Sequence, residues 1–258
     1  CLPKKSPGWR ARGKKPSRKT GVSPAGSLSV VRKNGKLPTA NPIAMTTQNT
    51  NEVTAAYDRV ARTYADKYQD EILQKPKVGA FLADFAAAVP AGGLICDMGC
   101  GPGQVARYVH GHLGRRVTGI DLSPEMVRLA AERNPTIPFR AADVLQMTET
   151  AAYDAIIGLY FIVNFPVDAL NAVCEKLHQL LKPGGQLLLS FHLGEDQRVR
   201  VEDFLNGGRP LDFFFFRVDT VREALLRNGF AVKNVRFRDP YVGVEYESQR
   251  AYVFAEKK

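Results

Sequence analysis

The chain has 258 residues, 45% of them hydrophobic, and a formal net charge of +10 at pH 7. That length can bury a full core and fits a single α/β unit, and no apolar run approaches the about 20 residues that cross a bilayer, which leaves no candidate for a membrane-crossing helix. The four cysteines, Cys1, Cys96, Cys100 and Cys174, form no C-x-x-C pair and have no histidine at zinc-like spacing, so no metal site is expected, and a reducing, cytoplasmic setting is.

The charge is unevenly placed. Residues 1–44 carry eleven Lys and Arg and no Asp or Glu, whereas the rest of the chain has 25 cations against 26 acids and is close to neutral. This stretch is rich in Pro, Gly and Ser and has no hydrophobic period, so it cannot bury enough surface to offset the entropy of ordering, and disorder is expected. Three readings stay open for it: sequence upstream of a true start at Met45, a transit-type targeting segment, or an electrostatic arm for nucleic acid. Residues 45–258 are expected to form the catalytic domain.

From about Asn51, Val53, Tyr57, Val60, Ala61, Tyr64 and Tyr68 recur at three- and four-residue steps and place an aromatic stripe on one helix face. A second helix spans about Lys77 to Val89. The apolar run Leu94-Ile95-Cys96 then reads as a buried strand, with Cys96 and Cys100 as packing residues. The strand leads into Asp97-Met98-Gly99-Cys100-Gly101-Pro102-Gly103 and a helix from Gln104 to Leu113, stopped by Gly114. Alternate glycines let a backbone turn sharply and approach a ligand. A nucleotide-type cofactor also needs an acid at the end of the next strand, roughly 20 residues on, to accept from ribose hydroxyls. Arg116–Ile120 ends at Asp121, which meets that requirement.

The loop spacing separates two cofactor classes. A dinucleotide loop runs G-x-G-x-x-G, with pyrophosphate on the helix N-terminus. Here it runs G-x-G-x-G behind an acid, a loop that need not stabilise phosphate charge, which disfavours a nicotinamide-dependent oxidoreductase. Further on come a helix over Pro124–Arg133, a strand over Ile137–Ala141, a helix over Asp219–Asn228 stopped by Gly229, and strands over Ala231–Arg238 and Arg250–Ala255.

Five motifs in order, across about residues 51–258, resemble the class I S-adenosylmethionine-dependent methyltransferases. Asp97–Gly103 resembles the first motif, Asp121–Met126 the second, Arg140–Val144 the third, Tyr153–Leu159 the fourth, and Leu180–Leu189, with its Lys182-Pro183-Gly184-Gly185 turn, the fifth. The resemblance implies a Rossmann-like, seven-stranded, mostly parallel sheet in the order 3-2-1-4-5-7-6, its last strand antiparallel, with helices on both faces. It also implies S-adenosylmethionine as cofactor, with Asp121 on the ribose and Asp143 on the adenine amine. Gly99, Gly101, Gly103, Gln104, Leu122, Met126, Val144 and Leu159 would surround the cofactor beside Asp97, and Tyr64 would cover it, Tyr57 being the next candidate. Right-handed crossovers bring Gly101, Asp121, Asp143 and Leu159 to one sheet edge, where ligands of open α/β sheets bind.

For methyl transfer the main task is to align nucleophile, carbon and sulfur and to exclude water, so a general base is optional. His110, His112 and His178 are expected at the surface. His192, directly after the fifth strand, is the candidate to act on the acceptor. Asn164 stands where many small-molecule relatives have a nearby histidine; it is expected either to orient the acceptor or to cap a helix before Pro166. The exit Tyr160–Pro166 departs from the Asn-Pro-Pro-aromatic pattern of enzymes that methylate base amines. A small molecule methylated on oxygen or nitrogen is therefore expected, with RNA as the alternative. Phe213–Phe216 are expected to be core, or to wall the acceptor pocket with alternate rings.

Overall fold

The computed structural model describes residues 47–242 and 245–258. The expected basic tail, residues 1–44, lies outside the described residues. Five strands run parallel: β1 (Leu94–Met98), β2 (Arg116–Asp121), β3 (Phe139–Ala141), β4 (Tyr153–Leu159) and β5 (Leu181–His192). A two-stranded ribbon follows, β6 (Gln197–Val201) with β7 (Leu211–Phe215), and then β8 (Phe230–Arg238) and β9 (Arg250–Lys257) return to the main sheet. The sheet order is β3-β2-β1-β4-β5-β9-β8, with β9 antiparallel to both neighbours. Without the ribbon this is the expected 3-2-1-4-5-7-6 order. Among the described residues no helix is long and apolar enough to cross a membrane.

Strand residues alternate between two cores, as a twofold period requires. Cys96, Ile156, Leu187 and Leu189 face one side with Val173 and Leu177 of α5 (Leu170–Leu180) and Val221 and Leu225 of α6 (Val218–Arg227). Ile95, Ile157 and Leu188 face the other, with Leu82 and Phe85 of α2 (Pro76–Ala87) and Val105 and Val109 of α3 (Gln104–Gly111). A smaller cluster of Ala61, Ala65, Met126 and Leu129 joins α1 (Thr47–Tyr68) to α4 (Pro124–Arg133).

Two boundaries differ from expectation for local reasons. α3 stops at Gly111 because the chain turns left-handed at Gly114 and Leu113 N–H reaches back to Tyr108 O. The third strand begins at Phe139, not Ile137, since Ile137 N–H is spent on Asn134 O and Pro138 has no N–H to give. β5 begins at Leu181, before the Lys182–Gly185 turn, and its register against β4 slips there.

Candidate active site

The strand C-termini and α1 enclose a cavity of about 410 Å³, a size typical of small-molecule sites. Its first boundary is the loop after β1. Gly99 and Cys100 donate N–H groups to Ile120 O at 2.7 and 3.0 Å, which locks the loop against β2. Gly101 has φ +52°, a conformation that disfavours a side chain, and lines the cavity, with Gln104 Oε1 and Tyr64 in ordinary contact range of a Cβ position at 3.8 and 3.9 Å. A ligand can therefore touch the backbone there. Gly103 is needed for a different reason: with φ +84°, a Cβ would meet Phe139 at 2.9 Å.

Carboxylates hold this loop in place. Gly101 N–H donates to Asp121 Oδ2 at 2.8 Å, and Ser123 N–H donates to Oδ1 at 2.9 Å. Burial pushes the Asp121 carboxyl up, while these N–H groups act downward. Asp143 accepts from Leu145 N–H through Oδ1 at 2.9 Å, and its Oδ2 has no protein partner among the described residues. Asp97 is buried, and its Oδ2 accepts from Ala106 N–H at 3.0 Å in the first turn of α3. Burial pushes it up to about 7, the Ala106 bond opposing and the Asp121 charge assisting.

α1 roofs the cavity with Thr50, Val53, Tyr57, Tyr64 and Tyr68. It is tied down by Asp58, which accepts from the Ser123 hydroxyl, and by Arg133, which donates to Ala65 O at 2.8 Å. Tyr57 donates its hydroxyl to Asn164 Oδ1 at 3.2 Å, linking roof to floor. Asn164 caps no helix. It closes a short 3-10 turn, Ile162–Asn164, and lines the cavity.

The far side is made by β5, the ribbon and the start of β9. Val199, Val201, Phe213 and Phe215 of the ribbon face the cavity, while Phe216 is fully buried against Phe191. The phenylalanine run thus divides between wall and core. His192 ends β5 and lines the cavity, stacked on Phe215 at 4.7 Å, with Nδ1 2.7 Å from Ser248 Oγ. Desolvation, helped by the nearby Arg250 charge, lowers its pKa to about 3. Of the other histidines, His110 and His112 are exposed, but His178 is half-buried, its ring edge-on to Phe230 at 5.4 Å.

Beside His192 lies a buried ion cluster. Arg238 grips both oxygens of Glu245 at 2.5 and 2.9 Å, and Lys75 Nζ lies 2.7 Å from the same carboxylate and 3.3 Å from Glu71. Burial acts upward on Glu245, but the bonds from Arg238 and Lys75 outweigh it and hold the carboxyl at about 2. Arg250 completes the group, 3.9 Å from Glu245.

Of the sequence-predicted residues, the structure brings Tyr64, Gly99, Gly101, Asp121, Leu122, Met126, Asp143, Val144, Leu159 and His192 to one cavity. Asp97, Gly103 and Gln104 lie outside its lining: the first caps α3, the second packs on Phe139, and the third has its Oε1 buried with no partner among the described residues.

Residues 95–185 match the model of a methyltransferase-domain family. Among curated relatives, a ubiquinone biosynthesis O-methyltransferase of Xanthomonas oryzae is 34% identical over 106 residues, 39% of this chain and 43% of that protein. A malonyl-[acyl-carrier protein] O-methyltransferase of Pseudescherichia vulneris is 31% identical over 141 residues, 55% of this chain and 53% of that one. The chain thus spans about half the length of these relatives. Its fold matches the magnesium protoporphyrin IX methyltransferase of Synechocystis, solved with S-adenosylhomocysteine, at a TM-score of 0.61 and 21% identity, covering 81% of this chain and 100% of that chain. Residues 95–185 thus carry a methyltransferase domain, in a fold shared with S-adenosylmethionine-dependent methyltransferases.

The cofactor end of this methyltransferase domain fits that molecule on its own geometry. Bare backbone at Gly101 on the cavity lining, and an Asp143 Oδ2 with no partner among the described residues, are what a polar nucleoside would complete. Sequence reasoning missed Lys75, Glu71, Tyr160, Glu245, Tyr246 and Arg250, all of which line the methyltransferase cavity. The sequence signal for this group is the mix of acids and aromatics in residues 239–247, between the last two strands.

Proposed function

We propose that the domain moves a methyl group from S-adenosylmethionine to an oxygen or nitrogen of a small-molecule acceptor, chiefly by positioning. The reading is carried by one observation: a single cavity is lined by Gly101, Asp121 and Asp143 at one end and by Phe213, Phe215 and His192 at the other. When bound, the cofactor supplies a methyl on a sulfonium sulfur, which is already electrophilic. Asp121 would accept from the ribose hydroxyls through lone pairs left after its two N–H bonds. Asp143 Oδ2 would accept from the adenine amine, Leu122, Met126, Val144 and Leu159 would pack the nucleoside, and Tyr64 would close over the Gly101 backbone.

His192 would face the acceptor as a neutral imidazole. With a pKa lowered to about 3 it takes up a proton poorly, so its part is to orient the acceptor by hydrogen bonding while the phenylalanine walls keep water out. Enclosure beneath α1 supports a small acceptor over nucleic acid, and the free, buried Cys96, Cys100 and Cys174 support a reducing, cytoplasmic setting.

Calorimetric titration of the full chain with S-adenosylhomocysteine, beside NAD, tests the reading. Micromolar binding of the former alone is expected. Binding of NAD instead would reopen the oxidoreductase reading and sink this one.

A further inference from the structure

The acceptor end of the cavity holds more positive than negative charge. Lys75, Arg238 and Arg250 stand against Glu71 and Glu245, and all five side chains are largely buried. Lys75 and Arg238 are matched by the two carboxylates at close range. Arg250 is not. Only 2% exposed, it reaches Glu245 no closer than 3.9 Å. Its terminal nitrogens donate to two backbone carbonyls, Ser248 O and, at 2.7 Å, Tyr246 O. Its Nε is buried with no partner among the described residues, although the side chain lines the cavity.

A buried guanidinium whose nearest carboxylate stands at 3.9 Å and is shared with two closer cations is under-compensated, and an unsatisfied buried N–H adds to the cost. Both deficits are answered by one ligand group, a carboxylate, whose geometry suits the guanidinium edge. The surfaces around it are apolar, with Phe213 and Phe215 forming one wall. Asp121 and Asp143 are remote: β2, which ends at Asp121, is four strands from β9, about 19 Å at the usual spacing. The cofactor's nucleoside and the Arg250 site therefore occupy different ends.

Building on the methyltransferase reading, we infer that the acceptor is an apolar molecule bearing a carboxylate, and that Arg250 is the specificity residue that holds this carboxylate beside His192. Arg250 supplies the Nε–H donor and the unmatched charge. Lys75 and Arg238 keep Glu245 occupied, so that Glu245 does not neutralise Arg250 in its place.

The test is titration of the full chain, saturated with S-adenosylhomocysteine, with a series from hexanoate to dodecanoate and 4-phenylbutyrate, each beside its primary amide. At least one carboxylate is expected to bind tenfold or more tightly than its amide. Arg250→Gln should abolish that preference and leave affinity for S-adenosylhomocysteine within twofold, while Arg250→Lys should retain part of it. A series in which no carboxylate outbinds its amide overturns the inference, with no need for any variant to fold. So does a preference that survives Arg250→Gln, or a tenfold loss of S-adenosylhomocysteine affinity in a folded Arg250→Gln protein, which would assign Arg250 to the cofactor's own carboxylate. Failure of the wild-type chain to bind S-adenosylhomocysteine would instead strike the methyltransferase reading; the comparison of carboxylate with amide can still be made on the unloaded protein.

Discussion

Asp97 and Glu245 are both buried carboxylates at the edge of one sheet, and their surroundings push them in opposite directions. Asp97, under the glycine loop, meets only a backbone N–H, so burial prevails and its carboxyl rises to about 7. Glu245, on the acceptor side, is gripped by a guanidinium and an ammonium, which outweigh burial and hold it at about 2. The cofactor end is thus organised by backbone dipoles around acids, and the acceptor end by formal charges of both signs. The first arrangement is suited to a polar, uncharged nucleoside and the second to a charged group.

Breaking the acceptor-side cluster should have the largest effect. Glu245→Gln leaves Arg238 and Lys75 without their shared counter-charge, and removing one partner of a buried ion pair costs about 3–5 kcal/mol; urea unfolding at pH 7 measures it. A loss below about 1 kcal/mol would mean that water already screens the cluster and that the two ends do not differ as described.

The next test uses pH. Between about pH 4 and 7 the folded protein keeps a proton on Asp97 that the unfolded chain releases, so stability is greatest below the unfolded value and is lost as pH rises through about 7. A rise from 3.8 to about 7 corresponds to about 4 kcal/mol. Glu245 has the opposite sign: its contribution is present above the ordinary carboxylate value and is lost as pH falls towards 2. Asp97→Asn, which still accepts from Ala106 N–H, should flatten the decline between about pH 4 and 7 in unfolding midpoints. An unchanged slope would assign the decline to other groups.

A smaller effect sharpens the contrast at the level of binding. Asp121→Ala should weaken S-adenosylhomocysteine by about 1–3 kcal/mol in a calorimetric titration, since charge-assisted hydrogen bonds are lost. Phe213→Ala, at the other end, should leave that affinity unchanged. Equal losses in both variants would show that the ends are not separate.

The same contrast explains what was legible in the sequence. The cofactor end is built from short local rules: glycines where the backbone turns left-handed or must lie bare, and an acid where a strand ends. Gly101, Asp121 and Asp143 are readable because each is set by its own few neighbours. The local pattern does not say which way a side chain points. Hence Asp97 and Gly103, inside the same motif, turn out to support the loop from beneath. The acceptor end has no such rule. Lys75 precedes a helix, His192 ends β5, and Glu245 and Arg250 lie between two late strands; only the insertion of β9 between β5 and β8 brings them together. The ribbon was half visible, since Phe213–Phe216 stood out while Gln197–Val201 carried no strand signal strong enough to pair it.

That ribbon hangs from the main sheet at one place. Phe216 donates its N–H to His192 O, and Gly194 donates to Phe216 O, both at 3.0 Å, while Val199 and Val201 stay outside the two main cores. The parts that decide which molecule fits are therefore mechanically separate from the parts that make the chain fold. Substitutions at Val199 and Val201 can thus reshape the cavity wall while leaving the packing of the seven-stranded sheet intact.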